Sequence, residues 1–385
     1  MYNFVFFSLV VVRTANGNYL SIQITMKTIK VFALASHTFV DKVSGVDYAR
    51  IIQPMRYLNG YKDEDVKFKV RVYDHSKNES FDWRKVFKDY DIVYFNYTNN
   101  DIGYAIMGLM AQKFKKKLIC DLDDDLFTIL ADNPAHAVFK TGAWGRTVVK
   151  AILNDVSHLT CTNRHLKHSL EFQLKESEGK VSILPNYIDL DLYKHRCKFK
   201  DRGHYKALYF GSSTHFSDLY SEPFFNAMDR VMKEYPNFKF MSVGAFVPKY
   251  REKWGVRYEQ GFGHIDLLEW IKLMPKFMDD ADFMVVPLIN NTYNRSKSSI
   301  KFLEASSYKI PGVYQNIRPY QEMIESGVNG YLASTEEEWY KSITSLINDT
   351  KLRESMGKEA FKTTKEWQIQ DHLQKYAAMF KRVLF

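Results

Sequence analysis

The sequence predicts an α/β fold with two parallel-sheet domains. Apolar, strand-like runs alternate with amphipathic helix patterns from Lys27 onward, which is typical of a parallel sheet with crossover helices. The chain has 385 residues, which is longer than a single hydrophobic core usually accommodates. A polar, basic stretch without periodicity interrupts the alternation between about residues 190 and 204. We therefore expect two domains joined near this stretch, covering residues 26–192 and 193–365.

The first predicted domain begins with a strand at residues 29–34, whose continuous apolar run suits a strand buried on both faces. The other strand patterns have the same character and are short. They lie at residues 68–73, 92–95, 117–120, 159–161 and 181–184. The helix patterns between them lie at residues 48–58, 102–113, 142–156 and 166–175.

The second predicted domain repeats this alternation. Its strand patterns lie at residues 207–210, 239–243 and 283–286, and its helix patterns at residues 222–234 and 266–278. Two further helices are predicted after Glu336. Because parallel sheets bind ligands at the carboxyl ends of their strands, two such domains are expected to enclose one cleft.

Composition limits the cellular setting. Apolar residues make up 45% and charged residues 26%, which is ordinary for a globular enzyme. Three cysteines without a pairing pattern favour a reducing, cytoplasmic compartment. The apolar run at residues 1–13 lacks a preceding basic region and is too short to span a bilayer, so residues 1–25 are interpreted as an extension. The net charge of +9 favours polyanions, either DNA or an anionic membrane surface on which the protein is peripheral, with a merely solvated basic surface as the alternative.

The segment from Asn294 to Gly330 is the most informative part of the chain. A loop of small polar and basic residues, Arg295 to Ser299, directly precedes an apolar helix pattern that contains Glu304. The amino end of a helix presents free backbone N–H groups and a positive dipole, which suit phosphate. Lys297 adds a positive charge there, and Glu304 lies far enough along to accept hydrogen bonds from sugar hydroxyls. The segment therefore predicts a nucleotide site.

This segment resembles the donor-binding region of GT-B glycosyltransferases, in particular the retaining family 4 group. Glu304 matches the second glutamate of that family's paired motif, and residues 326–332 match its Gly-x-Asn-Gly-x-Leu ending. Lys309-Ile310-Pro311 stands where the family has Gly-x-Pro, and Ser296 replaces the first glutamate. The resemblance implies a GT-B fold of two Rossmann-like domains facing each other across a cleft, with retention of anomeric configuration. It also implies that residues 366–385 cross back to the first domain as a helix.

The resemblance further implies which residues bind the donor. Backbone N–H groups of Ser299 and Ile300 would hold the diphosphate, Lys297 or Arg295 would neutralise it, and Glu304 would hold the ribose. A small-residue loop after the strand at 207–210 and a glycine in the loop after the first strand would also approach the phosphates. The complete predicted donor set is Gly45, Gly211, Ser212, Ser213, Thr214, Arg295, Ser296, Lys297, Ser298, Ser299, Ile300 and Glu304.

An acidic cluster closes one strand of the first domain, in the sequence Asp121 to Phe127. Clustered acids repel one another, which points to a function. We predict Asp123 and Asp124 as catalytic, together with Lys297, because a carboxylate there could orient the acceptor hydroxyl or accept its proton. A Mg²⁺ or Mn²⁺ site and a helix cap are the alternatives. The resemblance favours catalysis without metal, so no cofactor is predicted beyond the nucleotide-sugar donor.

These observations together predict a glycosyltransferase, hexosyl or pentosyl, that uses a nucleoside-diphosphate sugar such as a UDP-sugar. The acceptor hydroxyl stays open between DNA carrying a hydroxylated base and a lipid-linked or surface polysaccharide. The alternative is a non-catalytic protein that binds nucleotide sugars or polyanions on the same scaffold, because fold does not fix function. No stable protein partner is predicted.

Overall fold

The structure is a computed structural model. It describes residues 7–13, 19–35, 43–74, 82–97, 101–133, 135–174, 179–195, 197, 199, 202–212, 215–261 and 267–385. The side chains of residues 7–13, 19–25, 74 and 101 are not included in that description. Every structural statement below refers to this part of the chain.

The strands form two six-stranded parallel sheets and one separate antiparallel hairpin. The hairpin is β1 (Phe7–Arg13) with β2 (Tyr19–Thr25). The strands of the first sheet are β3 (Lys27–Ala35), β4 (Val66–Asp74), β5 (Ile92–Asn96), β6 (Lys117–Leu122), β7 (His158–Cys161) and β8 (Val181–Ile183). The strands of the second are β9 (Tyr205–Phe210), β10 (Phe238–Val243), β11 (Tyr258–Gln260), β12 (Phe283–Val286), β13 (Gly312–Gln315) and β14 (Tyr331–Ala333).

Helices connect the strands of each sheet. In the first domain they are α1 (Gly45–Asp47), continued by a π-helical turn (Tyr48–Ile52), α2 (Gln53–Leu58), α3 (Trp83–Asp89), α4 (Asp101–Phe114), α5 (His136–Phe139), α6 (Trp144–Asp155) and α7 (Arg164–Gln173). In the second they are α8 (Phe216–Leu219), α9 (Glu222–Glu234), α10 (Pro248–Trp254), a 3₁₀ turn (Gly255–Arg257), α11 (Leu267–Asp280), α12 (Thr292–Arg295), α13 (Ile300–Ser307), α14 (Arg318–Gln321), α15 (Glu336–Asn348) and α16 (Thr350–Lys365). A 3₁₀ turn (Ile369–His372) and α17 (Leu373–Leu384) end the chain.

The first sheet has the strand order β4-β3-β5-β6-β7-β8 and carries a hydrophobic core on each face. One core is formed with α3, α4, α5, α6 and α7, and the other with the π-helical turn, α2 and α17. The second sheet has the order β11-β10-β9-β12-β13-β14 and likewise lies between two cores. Strands buried on both faces explain the continuous apolar runs in the sequence. The predicted two-domain α/β fold is confirmed.

The chain returns to the first domain at its carboxy-terminal end. Ile188 forms a β-bridge with Gln368, and the ring of Phe380 on α17 packs 6.0 Å from Phe68 and 5.6 Å from Tyr94. This helix therefore completes a core of the first domain rather than of the second.

The β1–β2 hairpin and the short β11 strand were not anticipated from the sequence. The hairpin pairs Phe7 with Thr25 through Arg13 with Tyr19, within the stretch interpreted as an extension. No helix in the described ranges has the length and apolar character needed to cross a membrane.

Candidate functional site

The best-defined polar cluster lies where the two domains meet at the carboxyl ends of their strands. Asp124, after β6 of the first domain, pairs with Lys297, after β12 of the second: Nζ lies 3.1 Å from Oδ1. The Tyr293 hydroxyl donates to Oδ2 of the same carboxylate at 2.9 Å. The Lys297 ammonium also lies 4.4 Å from the centre of the Tyr293 ring. The two predicted catalytic groups Asp124 and Lys297 are therefore in direct contact across the cleft.

This contact fixes the charge state of Asp124. Burial alone would raise the pKa of its carboxyl, but the Lys297 ammonium and the Tyr293 hydroxyl outweigh burial and lower the pKa. Burial and the neighbouring Asp124 carboxylate raise the pKa of Tyr293, so its hydroxyl stays protonated and donates. The Asp124 carboxylate is thus ionised and is neutralised by the Lys297 ammonium.

Three side chains of the first domain hold the Arg295–Ser298 loop. Asn163 donates from Nδ2 to the carbonyl of Lys297 at 2.9 Å and to that of Arg295 at 3.2 Å. The hydroxyl of Thr162 donates to the Ser296 carbonyl at 3.2 Å, and Asn186 Nδ2 donates to Ser298 Oγ at 2.9 Å. These bonds fix the backbone of the loop that carries Lys297 to the first domain.

Helix α13 begins directly after this loop, with Ser299 as its first flanking residue. The Ser299 carbonyl accepts from the N–H groups of Phe302 and Leu303, which starts the helix. Lys297, Ser298 and Ser299 line one end of a cavity of about 340 Å³ between the domains. The loop, the helix start and the cavity thus meet at one place, as an anion site at a helix amino terminus requires.

Glu304 is buried on the second turn of α13 and accepts from the Tyr193 hydroxyl at 3.4 Å. Burial raises the pKa of its carboxyl to about 7, although the nearby Lys301 ammonium opposes the rise. Burial and the neighbouring Lys297 charge lower the pKa of Lys301 to about 8. A sugar hydroxyl that donates to Glu304 would compensate for this burial, which is what the predicted ribose contact requires.

The raised pKa of Glu304 has a consequence for stability. The folded state binds a proton on Glu304 up to about pH 7, whereas the unfolded chain releases it near the ordinary value of 4.5. Folding stability is therefore expected to fall as pH rises from about 4.5 through 7, and Glu304→Gln should flatten this part of the profile. Thermal unfolding of both proteins across that range checks the prediction, and identical slopes would contradict it.

A second polar group joins the loop after β9 to the loop after β12. The His215 ring nitrogen Nδ1 lies 2.8 Å from Asp218 Oδ2, and Asp218 Oδ1 accepts from Asn294 Nδ2 at 2.8 Å. Burial and the Lys301 charge lower the pKa of His215 to about 4, so the ring is neutral at physiological pH. This group positions the loop that carries Lys297.

The remaining predicted donor residues fall in different surroundings. Ser296 is fully buried, and its hydroxyl donates back to the Thr292 carbonyl at 3.2 Å, so it faces the protein rather than the cleft. Arg295 donates to Asn290 Oδ1 at 2.8 Å on the outer side of the loop. A Cβ on Gly211 would lie 2.5 Å from the Tyr209 hydroxyl, so this glycine is required by packing, whereas Gly45 faces open space.

Ser212 directly follows Gly211 at the end of β9, and Ile300 begins α13. Ser213 and Thr214 lie outside the described residues. Asp123 adjoins Asp124, and its charge acts on the Tyr293 hydroxyl, although Asp124 alone forms the pair with Lys297.

The acidic cluster does not gather into a metal-type group. In the described ranges, three potential ligand atoms come within 4.8 Å of one another at His195, Cys197 and Asp279, which excludes both Asp123 and Asp124. Asp124 directs its two oxygens to Lys297 and Tyr293 instead. Catalysis without metal remains a prediction.

Sequence reasoning missed two features of the site. Lys301 lies one turn after Lys297, so a pair of lysines at the start of α13 was visible in the sequence as an i, i+4 spacing. Arg50 forms a buried ion pair with Asp121, from Nη2 to Oδ1 at 2.7 Å, and donates from Nη1 to Asn186 Oδ1 at 2.8 Å. Asp121 is therefore a structural acid within the acidic cluster, and no local pattern indicated its distant partner.

Comparison with known proteins identifies the second domain. Residues 206–349 match the family described as Glycosyl transferases group 1. The match begins in β9 and ends just after α15, so it covers most of the second domain. The matched residues contain Lys297, Lys301 and Glu304.

Solved structures show that this chain has the GT-B fold along most of its length. HepE from Anabaena is 14% identical with a TM-score of 0.63, over 92% of this chain and 100% of that one. Sucrose-phosphate synthase from Thermosynechococcus elongatus is 13% identical with a TM-score of 0.63, over 92% and 99%. A glycosyltransferase from Rickettsia africae is 12% identical with a TM-score of 0.59, over 93% and 99%. No curated protein matches the sequence.

Proposed function

We propose that this protein transfers a sugar from a nucleoside-diphosphate sugar, of the UDP type, to a hydroxyl group of an acceptor held in the cleft. The observation that carries the proposal is the contact of Lys297, at the start of α13, with Asp124 of the opposite domain. In this proposal Lys297 serves the donor phosphates, and the adjacent Asp124 serves the acceptor. The structures of HepE, which contain UDP and UDP-glucose, support the choice of donor class.

On the donor side, the reaction breaks the bond between the anomeric carbon and the diphosphate oxygen, and negative charge develops on that oxygen. Lys297 would neutralise this charge, together with Lys301 and the N–H groups at the start of α13. Lys301 is suited to this role because its ammonium lies near the charged groups of Lys297, Glu304 and Asp218. In the described part of the chain, no carboxylate lies within 4.0 Å of it to form an ion pair. Glu304 would accept hydrogen bonds from the ribose.

On the acceptor side, Asp124 would orient the attacking hydroxyl and accept its proton. While Lys297 neutralises Asp124, the lowered pKa makes this carboxylate a weak base. A bound diphosphate would compete for Lys297, and the pKa of Asp124 would then rise. Donor binding would thus convert Asp124 into a better base at the moment when the acceptor needs one.

Retention of the anomeric configuration is proposed from the family resemblance. The position of the family's first glutamate is occupied by Ser296, which is buried and turned away from the cleft. The contact to the transferred sugar must therefore come from other groups. Analysis of the product anomer by NMR tests the stereochemical outcome directly.

Two acceptor classes remain within the proposal, DNA with a hydroxylated base and a lipid-linked or surface polysaccharide. A phosphate-rich acceptor of either kind suits a chain with a net charge of +9. The cellular location of the protein depends on the acceptor. With DNA as acceptor the protein would be cytoplasmic, and with a lipid-linked or surface polysaccharide it would be peripheral to the membrane.

A donor panel read by thermal unfolding tests the proposal. We expect one nucleoside diphosphate and its sugar conjugates to raise the Tm, because a ligand at about 100 times its Kd stabilises by about 2.7 kcal/mol. Glu304→Gln and Lys301→Met should reduce the shift, whereas Lys351→Ala, on the exposed surface of α16, should keep it. Stabilisation without transfer or hydrolysis of any donor would instead support the non-catalytic binding protein.

A further inference from the structure

Large apolar side chains are exposed on one outer layer of the first domain. Helices α3, α4, α5, α6 and α7 cover the same face of the first sheet, because their buried residues share one core. The exposed apolar residues of this layer are Ile102, Ile106, Leu109, Val138, Trp144 and Phe172. On the opposite layer, formed by the π-helical turn, α2 and α17, the described residues expose only the terminal Phe385 in this way. The asymmetry marks the first layer as an interaction surface.

Helix α4 is the centre of this surface. Ile102 is 75% exposed, Leu109 is 67% exposed and Ile106 is 37% exposed, and their spacing of four and three residues places them on one stripe. The opposite side of the same helix, with Tyr104 and Met107, is buried in the core. A helix that is apolar on both sides is ordinarily covered on both sides. The outer stripe of α4 is therefore suited to contact an apolar phase.

Positive charge lies next to the stripe. Residues 102–117 contain four lysines, at positions 113, 115, 116 and 117, and no acid. Three of them, Lys115, Lys116 and Lys117, line a cavity of about 290 Å³ at the carboxyl end of α4, in which Asp155 is the acidic residue. The neighbouring α3 adds three exposed cations, Arg84, Lys85 and Lys88, against two exposed acids at its ends, Asp82 and Asp89. Lys116 also lies 3.5 Å from Asp91, so the surface keeps a net positive charge from the other lysines. Apolar side chains flanked by cations complement the acyl chains and anionic headgroups of a membrane surface.

We propose that the outer layer of the first domain, centred on α4, is a membrane-docking face that inserts Ile102, Ile106 and Leu109 among lipids and places the lysines of residues 113–117 on anionic headgroups. DNA is the less suitable partner, because a duplex offers phosphates for the lysines but no apolar phase for the aliphatic stripe. A second copy of this chain is also less suitable, because the same lysines would repel one another in a symmetric contact.

Docking in this way would bring the cleft to the membrane. Helix α4 begins soon after β5, and the carboxyl end of β5 lies on the cleft side of the sheet with that of β6. A lipid-linked acceptor could then reach Asp124 from the bilayer. This last consequence rests on the proposed function, whereas membrane docking itself does not.

Vesicle flotation of the full chain tests the proposal. We expect binding to phosphatidylcholine vesicles that contain phosphatidylglycerol, weaker binding without it, and a decrease with added salt. Ile102→Ser with Leu109→Ser should weaken binding by roughly tenfold or more, because two aliphatic side chains no longer enter the bilayer. Lys113→Gln with Lys117→Gln should reduce the salt dependence, because two of the four lysines are then uncharged. Val256→Ser, on the second domain at 84% exposure, is the matched control and should bind like the parent.

Several outcomes would overturn the proposal. One is the absence of binding to either vesicle type, and another is equal binding by the parent and the Ile102→Ser, Leu109→Ser variant. If the protein does not bind vesicles but is retained on duplex DNA, and both double variants weaken that retention, the surface binds nucleic acid instead. If sedimentation shows a dimer and the Ile102→Ser, Leu109→Ser variant is monomeric, the surface binds a second copy of the chain instead. Donor-induced thermal shifts are measured separately, so failure of docking and failure of the proposed transfer remain distinguishable.

Discussion

Lys297→Ala is expected to lower kcat/KM for sugar transfer by about 10²- to 10³-fold, with most of the loss in kcat. The ammonium group acts on charge that appears as the diphosphate departs, so it contributes more to the transition state than to donor binding. The change also removes the counter-charge of Asp124, which lies 3.1 Å away. The pKa of Asp124 should then rise, and the acidic limb of the pH–rate profile should move to higher pH. Steady-state kinetics with the donor found by thermal shift measure both effects.

Two variants control this experiment. Lys351→Ala removes an exposed lysine from α16 and should leave kinetics and Tm unchanged. Asp124→Asn keeps Lys297 but removes the carboxylate, so it should lower kcat without moving the acidic limb upward. A Lys297→Ala protein that transfers sugar within about twofold of the parent would overturn the proposed role.

Arg50→Met is expected to destabilise the first domain by about 3–5 kcal/mol. Arg50 is 1% exposed and makes two charge-assisted bonds to Asp121, of 2.8 Å from Nε and 2.7 Å from Nη2. Its Nη1 also donates to the carbonyl of Leu184 at 2.6 Å. Removing the guanidinium leaves the buried Asp121 carboxylate without its cation. Chemical denaturation followed by circular dichroism measures the loss.

The partner acid provides the internal control. Arg50→Met combined with Asp121→Leu should recover much of the stability, because both buried charges are then absent. Arg84→Met, an exposed arginine on α3, should change stability by no more than about 0.5 kcal/mol. If Arg50→Met alone costs less than about 1 kcal/mol, the ion pair does not stabilise the fold as its burial implies.

Arg50 also connects the first domain to the donor loop. It donates to Asn186 Oδ1 at 2.8 Å, and Asn186 donates to Ser298 Oγ at 2.9 Å. Residues from one end of the chain therefore hold a loop that lies some 250 residues later in sequence. No periodicity or motif reveals such a bond, because its partners come together only when both sheets are formed.

The part of the site predicted from sequence is the part encoded locally. The Arg295–Ser299 loop, the start of α13 and Glu304 are contiguous, so one short segment displays their chemistry. The prediction was less informative wherever side-chain direction matters. Ser296 has the right position in the motif, yet its hydroxyl turns to the Thr292 carbonyl, because the residue lies on the buried side of the loop.

The sequence by itself determined the alternation of strands and helices and the two-domain α/β fold, and it predicted a segment for phosphate binding, because each of these is expressed in neighbouring residues. The tertiary structure alone decided that Asp124 meets Lys297, which lies 173 residues away, and that Asp121 is neutralised by Arg50. It also decided that the outer stripe of α4 is exposed rather than covered. The physical reason is that charge pairing and burial depend on distances in space, which the order of strands in the two sheets sets.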